Sequence, residues 1–471
     1  MSFESGIRMK GIRKKERREN REFGEFTEIA RILMHFFPNL SEWFNRMPDP
    51  RCASGRIYSQ AVLVFMIIMK NISAIVSMRQ MNEAFNTEEA IRNLGMLAEC
   101  ELKEMPDWQT VNNYLSRLDV SCLQEILAEM IFLLIRCKTF NRFRLPGKYW
   151  GLIIDGTGHA YFKERHCEHD LVMKSVDKKT GKTRTFYYHK ILEAKIILAP
   201  DIVVSIGSEF IENETEDVSK QDCEQRAAER LLARIKQQFP KLPIVVLADG
   251  LYATMPFMSL CRKYKWHYIL NLKEGSQKLL YEDFMTLLNE GEAGEDYGKV
   301  EKVGKELGTA YFANNVHAIT GKPETCNILR YEYEYEELNM ECGSMELKKK
   351  CFVWVTDLEH SKRTADHFIC AARSRWDIEE AFNFQKNGIY EIEHLCSRDS
   401  NGMKVHYILA QIADIIMKLT LSFSKSISTY SQSVKGLAAR IKGCFCMSIL
   451  TDAAVAYITA KCSLHYNGVI E

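Results

Sequence analysis

The sequence predicts a mixed α/β fold of the α+β kind, with helical regions at both ends and a β-rich insertion in its strand-bearing centre. Three observations predict it. Residues 24 to 140 carry long apolar-periodic segments and few strand signals. From residue 149 the texture changes to short apolar runs ending in turns, first strand after strand and then strand and helix in alternation. Residues 403 to 424 and 433 to 461 return to helical spacing.

Length and composition bound the rest. At 471 residues the chain exceeds one ordinary core, so roughly two to four domains or lobes are expected. It is 46% hydrophobic and 27% charged with only 10 prolines, which excludes extensive disorder. The net charge of +1 carries no information on partners, but its distribution does. Residues 8 to 21, RMKGIRKKERRENR, hold eight Lys/Arg against two Glu, and read either as an arm that touches phosphates or as a solvated tail. Fifteen cysteines behind a charged N-terminus without a secretory apolar stretch suit a reducing cytosol. AVLVFMIIM (61 to 69) is too short to span a bilayer. YILAQIADIIMKLTLSF (407 to 423) is interrupted by Gln411, Asp414 and Lys418 and reads as a core helix. The expectation is a cytoplasmic protein with no membrane association.

Along the chain, PDWQTVNNYLSRLD (106 to 119) opens with Asp107 as an N-cap and spaces Val111, Tyr114, Leu115 and Leu118 on one helical face. A packed bundle helix is favoured there over a DNA-reading one. YWGLIIDGTG (149 to 158) is a buried strand delivering Asp155. TFYYHKILEAKIIL and IVVSIGSEFI are further strands about a turn near Pro200, and KQDCEQRAAERLLARIKQQF (220 to 239) is an amphipathic helix with Asp222 as its candidate cap. LPIVVLADGLYA (242 to 253) is a second buried strand, ending in Asp249 and Gly250, and HYILNLK (267 to 273) is another. Residues 275 to 350 break the pattern, with YEYEYEE (331 to 337) placing tyrosines on one strand face and carboxylates on the other. CFVWVTDL (351 to 358) returns to a buried strand, and the helix of RSRWDIEEAFNFQKN (373 to 387) follows. The expected division is 1–140 helical and DNA-binding, 149–274 the first part of the core, 275–350 the insertion, 351–425 the second part, and 426–471 helical.

That last helix carries Arg375, Glu379 and Lys386 at spacings of four and seven, among Trp376, Ile378, Phe382 and Phe384. The spacing predicts one charged seam on a largely buried helix. Buried charge is costly unless it is paired or serves a site. Two strands each deliver an aspartate followed by glycine, in LIIDG and VLADG, and strand ends in α/β sheets are where ligands and metals gather. With Glu379 added, three carboxylates make an oxygen-rich set suited to Mg²⁺ or Mn²⁺. Two such ions activate a water or a 3′-hydroxyl for in-line phosphoryl transfer. Arg375 and Lys386 would neutralise phosphates or hold the glutamate in position. Each aspartate alone is an ordinary turn residue; the combination is more specific than its parts.

With these residues in view, the sequence resembles the DDE transposases of bacterial insertion sequences, in the group marked by a Tyr-x2-Arg-x3-Glu-x6-Lys signature. Asp155 lies in DGT, Asp249 in VLADGLY, and RSRWDIEEAFNFQKN matches the signature from its arginine onward, continued by KNGIYEIEH. The signature tyrosine falls on Ala372, the one departure. Glu380 is a rival to Glu379, but its helical angle points toward Trp376 rather than along the seam. The resemblance implies a ribonuclease-H-like core with a β-strand insertion that binds two Mg²⁺ or Mn²⁺ ions through Asp155, Asp249 and Glu379. It implies water attack at the ends of an element, then attack of the freed 3′-hydroxyl on target DNA. The implied partners are double-stranded DNA, at terminal inverted repeats and target, and a second copy of the chain in a homodimer.

Weaker signals have bland readings beside them. GHAYFKERHCEH gathers His159, His166, Cys167 and His169; zinc is weighed there, but the spacing lacks a CxxC pair and favours a polar loop. Cys444 and Cys446 read as buried thiols. Tyr331, Tyr333, Tyr335 and Trp354 could stack on an extruded base, though packing of a sheet face is favoured. DKKTGKTR (177 to 184) reads evenly as a phosphate-contacting hairpin or a solvated turn, and His394 as a site neighbour or a structural histidine. Two rival functions remain: a catalytically inactive, repurposed DNA-binding protein, and a two-carboxylate sugar hydrolase that leaves the cations without a purpose.

Overall fold

The computed structural model describes residues 23–145, 148–176, 181–216, 218–273, 275, 277–290, 297–317, 325–338, 343–428, 433–460 and 463–468. The basic arm at 8–21 and residues 177–180 of the DKKTGKTR turn lie outside them.

The described N-terminal helices are α1 (Glu25–Phe36), α2 (Leu40–Arg46), α3 (Gln60–Ile72), α4 (Met78–Phe85), α5 (Glu88–Leu97), α6 (Trp108–Leu115) and α7 (Val120–Arg136). The starts of α3 to α7 follow side-chain chemistry, while α1 and α2 begin without a side-chain cap. Ser59 caps α3 at the Val62 amide, Ser77 and Gln80 close a capping box on α4, and Asp107 takes the Gln109 amide at 2.8 Å on α6. The apolar run 61 to 69 lies in α3, every residue of which is buried. Val111, Tyr114 and Leu115 of α6 are buried as well, so that helix packs into the bundle.

The strands are β1 (Trp150–Phe162), β2 (Leu171–Val176), β3 (Thr183–Ala199), β4 (Ile202–Ile211), β5 (Ile244–Ala248), β6 (His267–Asn271), β7 (Tyr297–Val303), β8 (Gly308–His317), β9 (Thr325–Leu338) and β10 (Met345–Thr356). They form a single ten-stranded sheet. β1 pairs antiparallel with β3, whose far edge carries β2 over its first half and β4 over its second. On the other side of β1, β5 and β6 follow in parallel. β10 then runs antiparallel to β6, and β9, β8 and β7 continue outward, each antiparallel to the last. The strands of residues 297 to 338 therefore extend the same sheet, joined along the whole length of β10. Tyr331, Tyr333 and Trp354 are packed in that sheet's apolar face, while Tyr335 is exposed.

Between β4 and β5 lies α8 (Glu224–Gln238), and after β5 come α9 (Met255–Lys263) and, beyond β6, α10 (Lys278–Glu290). Asp222 does not cap α8. Cys223 holds that position without a side-chain bond, and Asp222 is drawn instead into ion pairs with Arg226 and Arg230, the latter at 2.6 Å. Two guanidiniums one and two turns along the helix draw its carboxylate away from the capping position. The chain ends in α11 (Ala365–Arg373), α12 (Asp377–Asn387), α13 (Ser400–Phe423), α14 (Lys425–Ser428), α15 (Val434–Met447) and α16 (Asp452–Thr459). A 3-10 turn at Ser374–Trp376 separates α11 from α12, so Arg375 precedes the helix that carries Glu379.

Helices from both ends of the chain share one core around α13, which packs against α1, α3, α7 and β4. α13 is the one described helix long and apolar enough to cross a membrane, and 83% of its apolar window is buried within the protein. Glu28 of α1, buried, accepts the Ser424 hydroxyl at 2.6 Å and the Tyr457 hydroxyl at 2.8 Å and pairs with Arg31 at 3.2 Å, fixing α1 to the C-terminal helices. Such satisfaction is what makes a buried carboxylate tolerable.

Candidate active site

β1 and β5 hold the site's foundation. Their ladder pairs Trp150 with Ile244, Leu152 with Val246 and Ile153 with Leu247 in parallel register. Continued two residues past its last pair, that register leads to Asp155 and, just beyond the end of β5, to Asp249, whose charge acts on the Asp155 carboxyl. Neighbouring strands lie about 4.8 Å apart, so both carboxylates start from adjacent backbones. Side-chain alternation puts them on one face: Ile153 shares its face with Asp155, and Val245 and Leu247 share theirs with Asp249. Ile153, Val245 and Leu247 belong to the apolar cluster that also holds Phe368, Ile378 and Phe382 of α11 and α12. The helix of Glu379 therefore covers the face on which both aspartates lie.

Arg375 connects the parts. Its guanidinium donates to Glu379 Oε1 at 2.6 Å, and its charge also acts on Asp155. Glu380 is exposed. Lys386 does not reach Glu379: on the last turn of α12 it pairs with Glu393 at 2.9 Å. From below, α12 is anchored by Gln385, whose amide donates to Gln411 Oε1 at 2.9 Å and Asp414 Oδ2 at 3.0 Å in α13. Gln411 in turn accepts the buried Lys195 ammonium of β3 at 3.0 Å. Ala372, at the signature's tyrosine position, is buried in the same apolar cluster.

Asp249 caps the short 3-10 turn Gly250–Tyr252, accepting the Leu251 amide at 3.0 Å. Asp155 accepts the Gly156 amide at 2.9 Å. Burial pushes the Asp155 carboxyl up to about 6, and the like charges of Asp249 and Glu224 push the same way against Arg375 and the Gly156 amide. Glu224 is a residue that sequence reasoning missed. As the first residue of α8 it approaches from the opposite face of the sheet, ion-paired with Lys190 and accepting the Tyr252 hydroxyl at 3.2 Å. Gly156 leaves room for it: a Cβ there would sit 2.6 Å from the Glu224 carboxylate. No motif marks Glu224, because its proximity arises from how α8 packs on β3 and β4 with its first residue reaching Gly156 of β1.

The donor set fits a hard divalent cation. It is all oxygen, it concentrates like charge, and Asp155 is held half-buried at a carboxyl value that a nearby cation would bring down. Asp155, Asp249 and Glu379 are the residues that could hold such an ion, although among the described residues their oxygens are not gathered within ligand distance of one another.

The His/Cys loop folds differently from its sequence spacing. His159 is buried against Tyr407, His169 Nδ1 lies 2.9 Å from the Asn213 carbonyl, and His166 Nε2 lies 2.5 Å from the Arg398 carbonyl. Cys167 instead meets Asp170 and His189, neither of which the sequence reading selected. Cys446 is buried and Cys444 half-buried, and among the described residues every cysteine is free. His394 is exposed. A family model described as the transposase DDE domain matches residues 146–413, more than half the chain. No curated protein matches it.

Proposed function

The chain belongs to the DDE-domain transposase family, and from that premise we propose that it is an insertion-sequence transposase using Asp155, Asp249 and Glu379 in metal-dependent DNA cleavage and strand transfer. One observation carries the reading: the adjacent parallel strands β1 and β5 bring Asp155 and Asp249 close enough for their charges to interact, on the face covered by the Glu379 helix. The strand order β4-β3-β1-β5-β6, antiparallel and then parallel, supports a ribonuclease-H-like core extended by the β7–β9 insertion.

Asp155, Asp249 and Glu379 would hold Mg²⁺ or Mn²⁺, which would supply Lewis acidity for phosphoryl transfer. The chain's own residues orient it. Arg375 fixes the Glu379 carboxylate through Oε1 and offers its remaining guanidinium protons to phosphate oxygens. Gln385 holds α12 at a fixed depth over β1. The Asp155 carboxyl, near 6, is largely ionised at neutral pH and so ready as a ligand. The substrates in this reading are double-stranded element ends and target DNA, brought together by a homodimer.

The test is cleavage of labelled element-end DNA with Mg²⁺, comparing wild type, Glu379→Ala and Glu380→Ala. Cleavage lost only in Glu379→Ala, with end binding intact in all three, supports the reading. A wild type that binds those ends but never cuts them with Mg²⁺ or Mn²⁺ transfers the conclusion to a repurposed DNA-binding protein.

A further inference from the structure

Away from the carboxylates, the loop after β1 brings three different ligand atoms together. Cys167 Sγ lies 3.3 Å from Asp170 Oδ1 and 3.8 Å from His189 Nε2, and those two atoms are 3.0 Å apart. A tetrahedral zinc with bonds of about 2.3 Å to sulfur and about 2.0–2.1 Å to nitrogen and oxygen spaces its donors roughly 3.3–3.6 Å apart. The triangle fits that pattern within a few tenths of an ångström. We propose that Cys167, Asp170 and His189 form a tetrahedral zinc site that ties the β1–β2 loop to β3, separate from the carboxylates of the active site.

Three features favour an ion over the alternatives. The cluster is not a proton relay: a relay uses both imidazole nitrogens, whereas here thiol and carboxylate meet on the same Nε2. Asp170 is fully buried and its orientation is already fixed, since Oδ2 accepts the amides of His166 and Cys167, turning Oδ1 to the cluster. Asn213 donates to the Asp170 carbonyl at 2.8 Å, completing the support that metal ligands draw from their surroundings. Cys167 is half-buried, so solvent supplies the fourth ligand. Binding breaks the Cys167 S–H bond and releases that proton to water. In the bound state the neutral imidazole carries its proton on Nδ1 and presents the Nε2 lone pair to the ion.

The experiment uses the full chain, stripped with a chelator and titrated with Co²⁺ alone. A thiolate-to-cobalt charge-transfer band with the strong visible bands of a tetrahedral ion is expected, saturating at about one equivalent per chain and bleached by Zn²⁺. Cys167→Ser should abolish the charge-transfer band, while His169→Ala and Asp155→Asn should retain it. Folded, stripped wild type that binds cobalt without the band overturns the proposal, as does a band that survives Cys167→Ser. Should Cys167→Ser fail to fold, alkylation of wild type decides. Zn²⁺ is expected to slow maleimide labelling of Cys167 at least tenfold while leaving exposed Cys52 unaffected, and equal labelling with and without Zn²⁺ overturns the site.

Discussion

Replacing Asp155 by Asn should abolish cleavage and stabilise the metal-free protein. The Asp155 carboxyl is raised from 3.8 to about 6 by burial, with Asp249 and Glu224 adding to it. A raised carboxyl means that the native state binds its proton more tightly than the unfolded chain does. Stability is therefore fully present below about pH 4, falls as pH rises through the window to about 6, and stays at its reduced level above. A shift of about two units corresponds to about 3 kcal/mol as a ceiling. Screening at a site partly open to solvent brings this to about 1–2 kcal/mol. Asn keeps the oxygen that accepts the Gly156 amide but carries no charge, so it removes the penalty without removing that bond. Urea denaturation of both proteins from pH 4 to pH 8, without divalent cation, is the assay. Asp155→Asn should gain about 1–2 kcal/mol over wild type at pH 8 and progressively less toward pH 4. Addition of Mg²⁺ at pH 8 should narrow the gap, because the wild type offers the ion the additional carboxylate that the variant lacks. An advantage that is absent, or that does not change with pH, refutes the reasoning.

Two further outcomes follow from the same geometry. Ile378, fully buried where α12 meets the sheet, should cost about 2–5 kcal/mol when replaced by Ala, and cleavage should fall although all three carboxylates remain; denaturant unfolding checks the first and the end-cleavage assay the second. Glu224→Gln removes one of the two like charges acting on Asp155, so the acid limb of the cleavage rate against pH should move to lower pH, and an unmoved limb would separate Glu224 from the site.

Much of the local structure around the candidate site could be read before any coordinates, because each part is local. An apolar run of strand length that stops at Asp-Gly announces both the strand and the residue it delivers. VLADG did so at the end of β5, whereas β1 runs on past Asp155 to Phe162; the separation of 94 residues between the two aspartates equals the offset of the β1–β5 ladder. The spacing of four between Arg375 and Glu379 likewise became an ion pair, although Arg375 sits in the 3-10 turn that leads into the helix of Glu379, because the turn keeps the two side chains on one side. Lys386 behaved otherwise: at the end of α12 the chain turns, and Glu393 in the following segment captures it.

What only the tertiary structure decided is which distant groups meet. Glu224 reaches Asp155 from beneath the sheet because α8 packs on the opposite face and Gly156 leaves a gap. Cys167 finds its partner in His189 across the sheet, since β2 and β3 fold back beside β1, and the nearby histidines of its own loop turn away to backbone carbonyls. The insertion's strands join the central sheet because β10 is long enough to pair with β6 at one end and with β9 throughout. Periodicity encodes what a segment does with its own neighbours. Which surfaces then come together depends on strand order and on the burial of whole faces, and no stretch of sequence carries that by itself.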